Sequence, residues 1–215
     1  LKENKFGIET QKALQLYRRW RKFKNLEFVG VDCHIGSQLV RLSPIVEALT
    51  RLVEMIVELR AMGLNIKYLD LGGGLGITYQ KENAREITAV ASEINCKLIL
   101  EPGRVIVGNA GVLLLRVVYV KQTAHKKFII TDGGMNCLIR PALYGAYHEI
   151  LPVIEKSAQK KNSVDIVGPI CESTDFLAKD RPFAEVNSGD LIAVMSAGAY
   201  GFVMASNYNS QPKPA

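Results

Sequence analysis

The chain has 215 residues, 48% apolar and 22% charged, and its 27 Lys and Arg against 21 Asp and Glu give a formal charge of +6. That mixture belongs to an ordinary globular protein and excludes a disordered tail, a collagen-like fibre and a coiled-coil rod. The longest apolar run, Val105 to Val120, is interrupted by Asn109 and Arg116 and is too short to span a bilayer.

The N-terminal part alternates helix and strand. Glu9 to Lys24 reads as a helix with Leu14, Leu16 and Tyr17 on its apolar side, followed by a short strand from Glu27 to Asp32. Within that helix, Arg18-Arg19-Trp20-Arg21-Lys22 is a basic cluster that could meet nucleic acid. Such a cluster is more often simply a solvated helix face, and no nucleic-acid or membrane partner is expected. A second helix is well marked. Ser43 is the expected N-cap with Pro44 at the first helical position, and Ile45, Leu49, Leu52, Ile56 and Leu59 recur at steps of three and four. Gly63 supplies a left-handed stop. Ile66 to Leu71 is the next strand, Glu82 to Ile94 a helix, and Lys97 to Leu100 a third, buried strand. This βαβαβ order implies parallel strands with helical crossovers. Such repeats are too few to close a (β/α)8 barrel, so barrel material here would be part of a barrel.

Beyond Arg104 short β-branched runs take over, at Val105–Val107, Val112–Val120, Phe128–Thr131, Val164–Val167 and Leu191–Met195. Turn signals such as Asp132-Gly133-Gly134 and Asn187-Ser188-Gly189-Asp190 separate them, which reads as a mostly β domain. The polar end from Asn209 to Ala215 is expected to fray. Cys33, Cys96, Cys137 and Cys171 form no C-x-x-C pair, so a reducing cytoplasm is expected rather than a disulfide framework or a structural zinc site. No signal peptide is visible, and Leu1 in place of an initiator Met leads us to expect a start within a longer protein.

Chemistry in parallel α/β proteins collects at the carboxyl ends of strands. Here those ends carry His34-Ile35-Gly36-Ser37-Gln38, Gly72-Gly73-Gly74-Leu75-Gly76 and Glu101-Pro102-Gly103-Arg104. Each alone is ambiguous. The glycine run suits a phosphate nest or a sharp turn without ligand; His34 suits a stacking ring or a structural hydrogen bond; Glu101 and Arg104 suit a ligand or each other. Together they supply an anion nest, a stacking group and a carboxylate for a ring nitrogen, the demands of pyridoxal phosphate. Farther on, Arg140-Pro141-Ala142-Leu143-Tyr144 spaces an Arg and a Tyr to hold a carboxylate. Cys171 beside Glu172 is either a proton donor or a small buried hydrophobe, whereas Cys33, Cys96 and Cys137 read as structural.

With these motifs assembled, the chain resembles the diaminopimelate decarboxylases, fold-type III pyridoxal-phosphate enzymes of lysine biosynthesis. The resemblance runs from Lys5-Phe6-Gly7-Ile8 to Ala205-Ser206-Asn207-Tyr208-Asn209 and includes Gly198-Ala199-Tyr200-Gly201. It implies that residues 1–106 are part of an alanine-racemase-like (β/α)8 barrel and residues 107–215 a mostly β C-terminal domain. It further implies that His34 stacks on the cofactor ring, Ser37 and Gly74 contact its phosphate, and Glu101 pairs with the ring nitrogen. Pro102, Gly103 and Arg104 would line that pocket, with Arg104 also reaching substrate. Arg140 and Tyr144 would grip the distal carboxylate, Glu172 the distal amino group, and Tyr200 both ligands. Cys171 would protonate the reacting carbon. Cys171 and Glu172 act across a homodimer interface in this family, so the implied enzyme is a cytoplasmic homodimer that converts meso-diaminopimelate to L-lysine and carbon dioxide, with no metal.

Departures from the pattern are specific. The Schiff-base lysine of the family would precede Leu1, the family's last segment would follow Ala215, and Cys137 stands where the family commonly has an acidic residue. The chain alone is therefore expected to be inactive. Another fold-type III decarboxylase, acting on ornithine or arginine, is the nearest alternative, but those substrates leave Arg140 and Tyr144 without a carboxylate. A non-catalytic fragment that binds pyridoxal phosphate is a second. A flavin- or sugar-phosphate-binding barrel would use the glycine nest but leave Arg140, Tyr144, Cys171 and Glu172 unexplained.

Overall fold

The computed structural model describes residues 5–77, 79, 95–154 and 161–215. They fall into two compact units: residues up to 76 with 95–103, and Ile77 and Tyr79 with the chain from Arg104 onward. The break thus comes at Arg104 rather than at residue 107, and the segment just after the glycine run goes with the second unit.

The first unit is α/β. Strands β1 (Gly30–Asp32), β2 (Tyr68–Asp70) and β3 (Lys97–Ile99) form a parallel sheet in chain order. Helix α1 (Thr10–Arg18) buries Leu14 and bonds the Tyr17 hydroxyl to the Gly30 carbonyl at 3.0 Å, while Leu16 remains exposed. Helix α2 (Ser43–Ala61) buries Leu49, Leu52, Ile56 and Leu59, the stripe that its spacing predicts. Ser43 is not its cap. Leu42 is already helical and its carbonyl accepts the N–H of Ile45 and Val46, so Ser43 and Pro44 fill the first turn. Gly63 takes the expected left-handed conformation at φ +87°. Strand β3 differs from expectation: Lys97, Leu98 and Ile99 are exposed, and among the described residues β3 pairs with β2 alone. The helix expected over 82–94 lies outside the described residues.

The second unit is mostly β. Helix α3 (Arg104–Val107) leads into β4 (Leu113–Gln122), β5 (Lys127–Thr131), helix α4 (Arg140–Tyr144), β6 (Ile150–Pro152), β7 (Asn162–Val167), β8 (Phe176–Phe183) and β9 (Leu191–Val194). The sheet order is β6-β9-β4-β5-β7-β8, with β5 and β7 parallel and the other pairs antiparallel. Alternate residues Leu115 and Val117 of β4 pack on Ile129, Ile166, Leu177, Ile192 and Val194 to form the core.

Val105–Val107 is helical, against the strand that its β-branched run predicts. The turn Ala197–Gly201 docks on that segment: Gly198 N–H bonds the Gly108 carbonyl, and a side chain at Gly198 would strike the Val107 carbonyl. Tertiary packing here overrides strand propensity. In the segment expected to fray, the Pro212 carbonyl accepts a hydrogen bond from Asn136 Nδ2 at 3.3 Å. Among the described residues no helix is long and apolar enough to cross a membrane.

Candidate active site

In the first unit the three expected strand-end motifs are joined by backbone hydrogen bonds. Leu39 N–H bonds the Gly74 carbonyl at 2.8 Å, Gly76 N–H the Leu39 carbonyl at 3.1 Å, and Glu101 N–H the Gly72 carbonyl at 2.9 Å. Asp70 Oδ1 accepts the Gly72 N–H at 2.8 Å and shapes the start of the turn. Gly72 and Gly74 have φ of +65° and +96°, where L side chains are strained. Space is equally restrictive. A Cβ on Gly72 would meet Cys33 and His34, one on Gly73 would meet Glu101, and one on Gly74 would meet the Gly36 carbonyl. The fold therefore brings His34, Gly74 and Glu101 together at adjacent strand ends, with Ser37 in the loop that packs on Gly74. The side chains of His34, Ser37, Glu101 and Pro102 are solvent-accessible there, as is Gly103.

These residues fit pyridoxal phosphate. A glycine run that excludes side chains leaves its backbone open to an anion, a hydroxyl and an imidazole flank it, and a carboxylate stands at the next strand end.

The second unit holds a cluster of cations. Tyr79 Oη accepts from Arg104 Nη1 at 2.6 Å and from Arg140 Nη1 at 2.9 Å. Arg104 also stacks 4.8 Å over the Tyr200 ring, and Arg140 4.9 Å over that of Tyr79. Tyr200 has φ +61° in the turn that Gly198 docks. Arg140, buried at 7% exposure, opens α4, which Pro141 initiates and a left-handed Gly145 ends. Its Nη1 lies 2.8 Å from His148 Nε2, and His148 Nδ1 lies 2.9 Å from the Met195 carbonyl. Burial, and after it the nearby arginines, depress the His148 pKa to about 4, although the Met195 bond opposes them. Burial likewise lowers the Arg140 pKa. Among the described residues Arg140 has no carboxylate partner; it is a buried cation held by a phenol and an uncharged imidazole.

Cys171 and Glu172 stand on a separate exposed loop. Glu172 accepts the Thr174 N–H at 3.3 Å and the Tyr208 hydroxyl at 3.2 Å, and these bonds hold its carboxyl below the usual range. The structure joins Glu172 to Thr174 and Tyr208, not to the Arg140 cluster. Tyr144 is exposed at the end of α4.

Sequence reasoning missed four participants. Tyr79 and His148 received no role, yet each lies close in sequence to a motif that did, three residues after Gly76 and eight after Arg140. Tyr208 lies inside the Ala205–Asn209 segment without a role, and Asp175 lies four residues after Cys171. A buried arginine needs acceptors, and that need was the available signal.

The family model described as pyridoxal-dependent decarboxylase, C-terminal sheet domain, matches residues 17–198. A Pseudomonas aeruginosa diaminopimelate decarboxylase is 51% identical over 222 residues, covering 100% of this chain and 53% of the relative. Its Aquifex aeolicus counterpart is 48% identical over 223 residues, covering 100% and 53%. The crystal structure of Helicobacter pylori diaminopimelate decarboxylase complexed with L-lysine is 40% identical with a TM-score of 0.91, covering 99% of this chain and 55% of that one. The chain thus spans about half the length of the curated relatives it matches.

Proposed function

The chain belongs to the pyridoxal-dependent decarboxylases, and from that premise we propose that the protein built from it converts meso-diaminopimelate to L-lysine and carbon dioxide. The observation that carries this substrate assignment is Arg140: a buried guanidinium whose partners are uncharged is suited to an incoming carboxylate. Ornithine and arginine have no second carboxylate to offer it. The relatives' names and the lysine complex of the Helicobacter pylori enzyme support the same substrate.

In this reading the three parallel strands are part of a β/α barrel, and residues of their ends hold the cofactor. His34 would stack on the ring, Ser37 and Gly74 would hold the phosphate, and Glu101 would keep a proton on the ring nitrogen. Pro102 and Gly103 would line the same pocket. When bound, pyridoxal phosphate supplies a conjugated cationic ring that takes up the electron pair left as carbon dioxide departs. Arg140 and Tyr144 orient the substrate through its far carboxylate, and Glu172 receives its far ammonium. Cys171 Sγ gives a proton to the reacting carbon, and solvent restores the thiol. The exposed loop of Cys171 and Glu172, bonded apart from the arginine cluster, supports a homodimer in which each protomer completes its partner's site. We place the enzyme in the cytoplasm, with no nucleic-acid or membrane partner.

The test is a substrate comparison with a protein of the relatives' full length that contains this chain and is loaded with pyridoxal phosphate. Lysine should form from meso-diaminopimelate, with ornithine and arginine decarboxylated far more slowly. Equal turnover of ornithine would overturn the assignment. Arg140→Ala should damage turnover much more than cofactor binding.

A further inference from the structure

We propose that His148 is a positioning residue for Arg140: its Nε2 lone pair accepts one N–H of the guanidinium and thereby sets the edge that receives the substrate's far carboxylate. The inference rests on the substrate assignment above and adds a residue to it.

Hydrogen-bond chemistry decides the tautomer. The Met195 carbonyl can only accept, so His148 Nδ1, 2.9 Å away, carries the proton. Arg140 Nη1 can only donate, so Nε2, 2.8 Å away, must present its lone pair. An imidazolium could not make both bonds. His148 is fully buried, and the Arg181 guanidinium bonds its backbone carbonyl at 2.9 Å, which fixes the residue from the other side.

The same count assigns the free edge of Arg140. Nη1 has two N–H groups; one goes to His148 Nε2 and the other to Tyr79 Oη at 2.9 Å. Among the described residues Nε and Nη2 carry no such bond. Those two nitrogens form a side-on fork that matches a carboxylate. An Asp or Glu at position 148 would orient the guanidinium too, but it would cancel the charge that attracts the substrate. A neutral imidazole orients the cation without discharging it.

The test uses the full-length, cofactor-loaded protein with His148→Leu, which has no acceptor, and His148→Gln, whose amide oxygen can replace Nε2. His148→Leu should raise KM for meso-diaminopimelate and the inhibition constant of L-lysine by about tenfold, the scale of one lost charge-assisted hydrogen bond. The inhibition constant of cadaverine, which has no carboxylate, should move less than about twofold. His148→Gln should recover most of the loss, and the visible spectrum of the cofactor should stay unchanged. In the unsubstituted protein, 15N NMR should find His148 protonated on Nδ1 and bare on Nε2. The proposal fails if lysine and cadaverine weaken alike, if lysine is unaffected, or if the proton lies on Nε2. Should His148→Leu not fold, His148→Gln and the NMR tautomer decide it. Absence of both lysine binding and meso-diaminopimelate turnover in the unsubstituted protein would instead sink the substrate assignment, and the tautomer would still be readable.

Discussion

The Asp175 carboxylate accepts the Ile170 backbone N–H at 2.7 Å, placing a buried anion against the residue that precedes Cys171. Its other oxygen accepts the Met135 N–H at 2.6 Å, so one side chain fastens two loops. Gly134 and Gly168 make room for it, since a Cβ on either would run into the carboxylate. Burial pushes the Asp175 carboxyl up, while the Met135 and Ile170 N–H groups pull it back. Asp175→Asn keeps the shape but turns one acceptor into a donor facing an N–H. We expect a loss of about 1–3 kcal/mol in denaturant unfolding. The Cys171 thiol should react faster with a disulfide reagent as its loop loosens. An unchanged thiol rate would show that Asp175 does not hold that loop.

Gly74→Ala tests the anion nest. At φ +96° the new side chain is strained, and its Cβ would enter the Gly36 carbonyl, a backbone atom that cannot swing aside. The two strand-end loops must separate. Pyridoxal phosphate affinity, followed by its absorbance, should fall at least about tenfold in the full-length protein, equivalent to about 1.4 kcal/mol. The six-stranded sheet, with its own core, should keep its stability.

Tyr208→Phe removes the hydroxyl that donates to Glu172 Oε2 at 3.2 Å. Both side chains are exposed, so the denaturant unfolding midpoint should stay unchanged. The Glu172 carboxyl should titrate higher, though still below an ordinary glutamate, because the Thr174 N–H, its largest support, remains. A carboxyl-carbon NMR titration of Glu172 measures this. An unmoved Glu172 would refute the contact.

How far sequence could lead depended on whether local patterning or distant packing decided each feature. Leu49, Leu52, Ile56 and Leu59 announce their helix because one stripe has to be buried, whatever lies opposite. Val105–Val107 misleads because its conformation answers to a turn about ninety residues later, through Gly198. Strand β8 was missed because Lys179-Asp180-Arg181-Pro182 has no alternation. It is an edge strand that tolerates Pro182, and buried Asp165 accepts the N–H of Asp180 at its left-handed kink. The motif residues around the glycine turn were legible because strand ends and glycine have local signatures. His148 was not, since its meaning lies in Arg140 and Met195, which nothing local to Tyr147-His148-Glu149 announces.

His148 also predicts a pH dependence of stability with a definite sign. Burial, together with the charges of Arg140, Arg104 and Arg181, lowers its pKa from 6.5 to about 4; the Met195 carbonyl acts in the opposite direction. The Tyr79 ring lies edge-on to the His148 ring, 5.1 Å away. The unfolded chain therefore binds a proton between pH 6.5 and about 4 that the folded chain refuses. Stability from this group is full above the upper value, falls as pH drops through the window, and loses nothing more below it. The loss is on the order of 3 kcal/mol. His148→Gln cannot take up this proton, so its stability should fall less steeply over that range than that of the unsubstituted protein. Denaturant unfolding at several pH values between 4 and 7 measures the two slopes. Parallel slopes would mean that His148 is protonated in the fold as readily as out of it, which its two hydrogen bonds forbid.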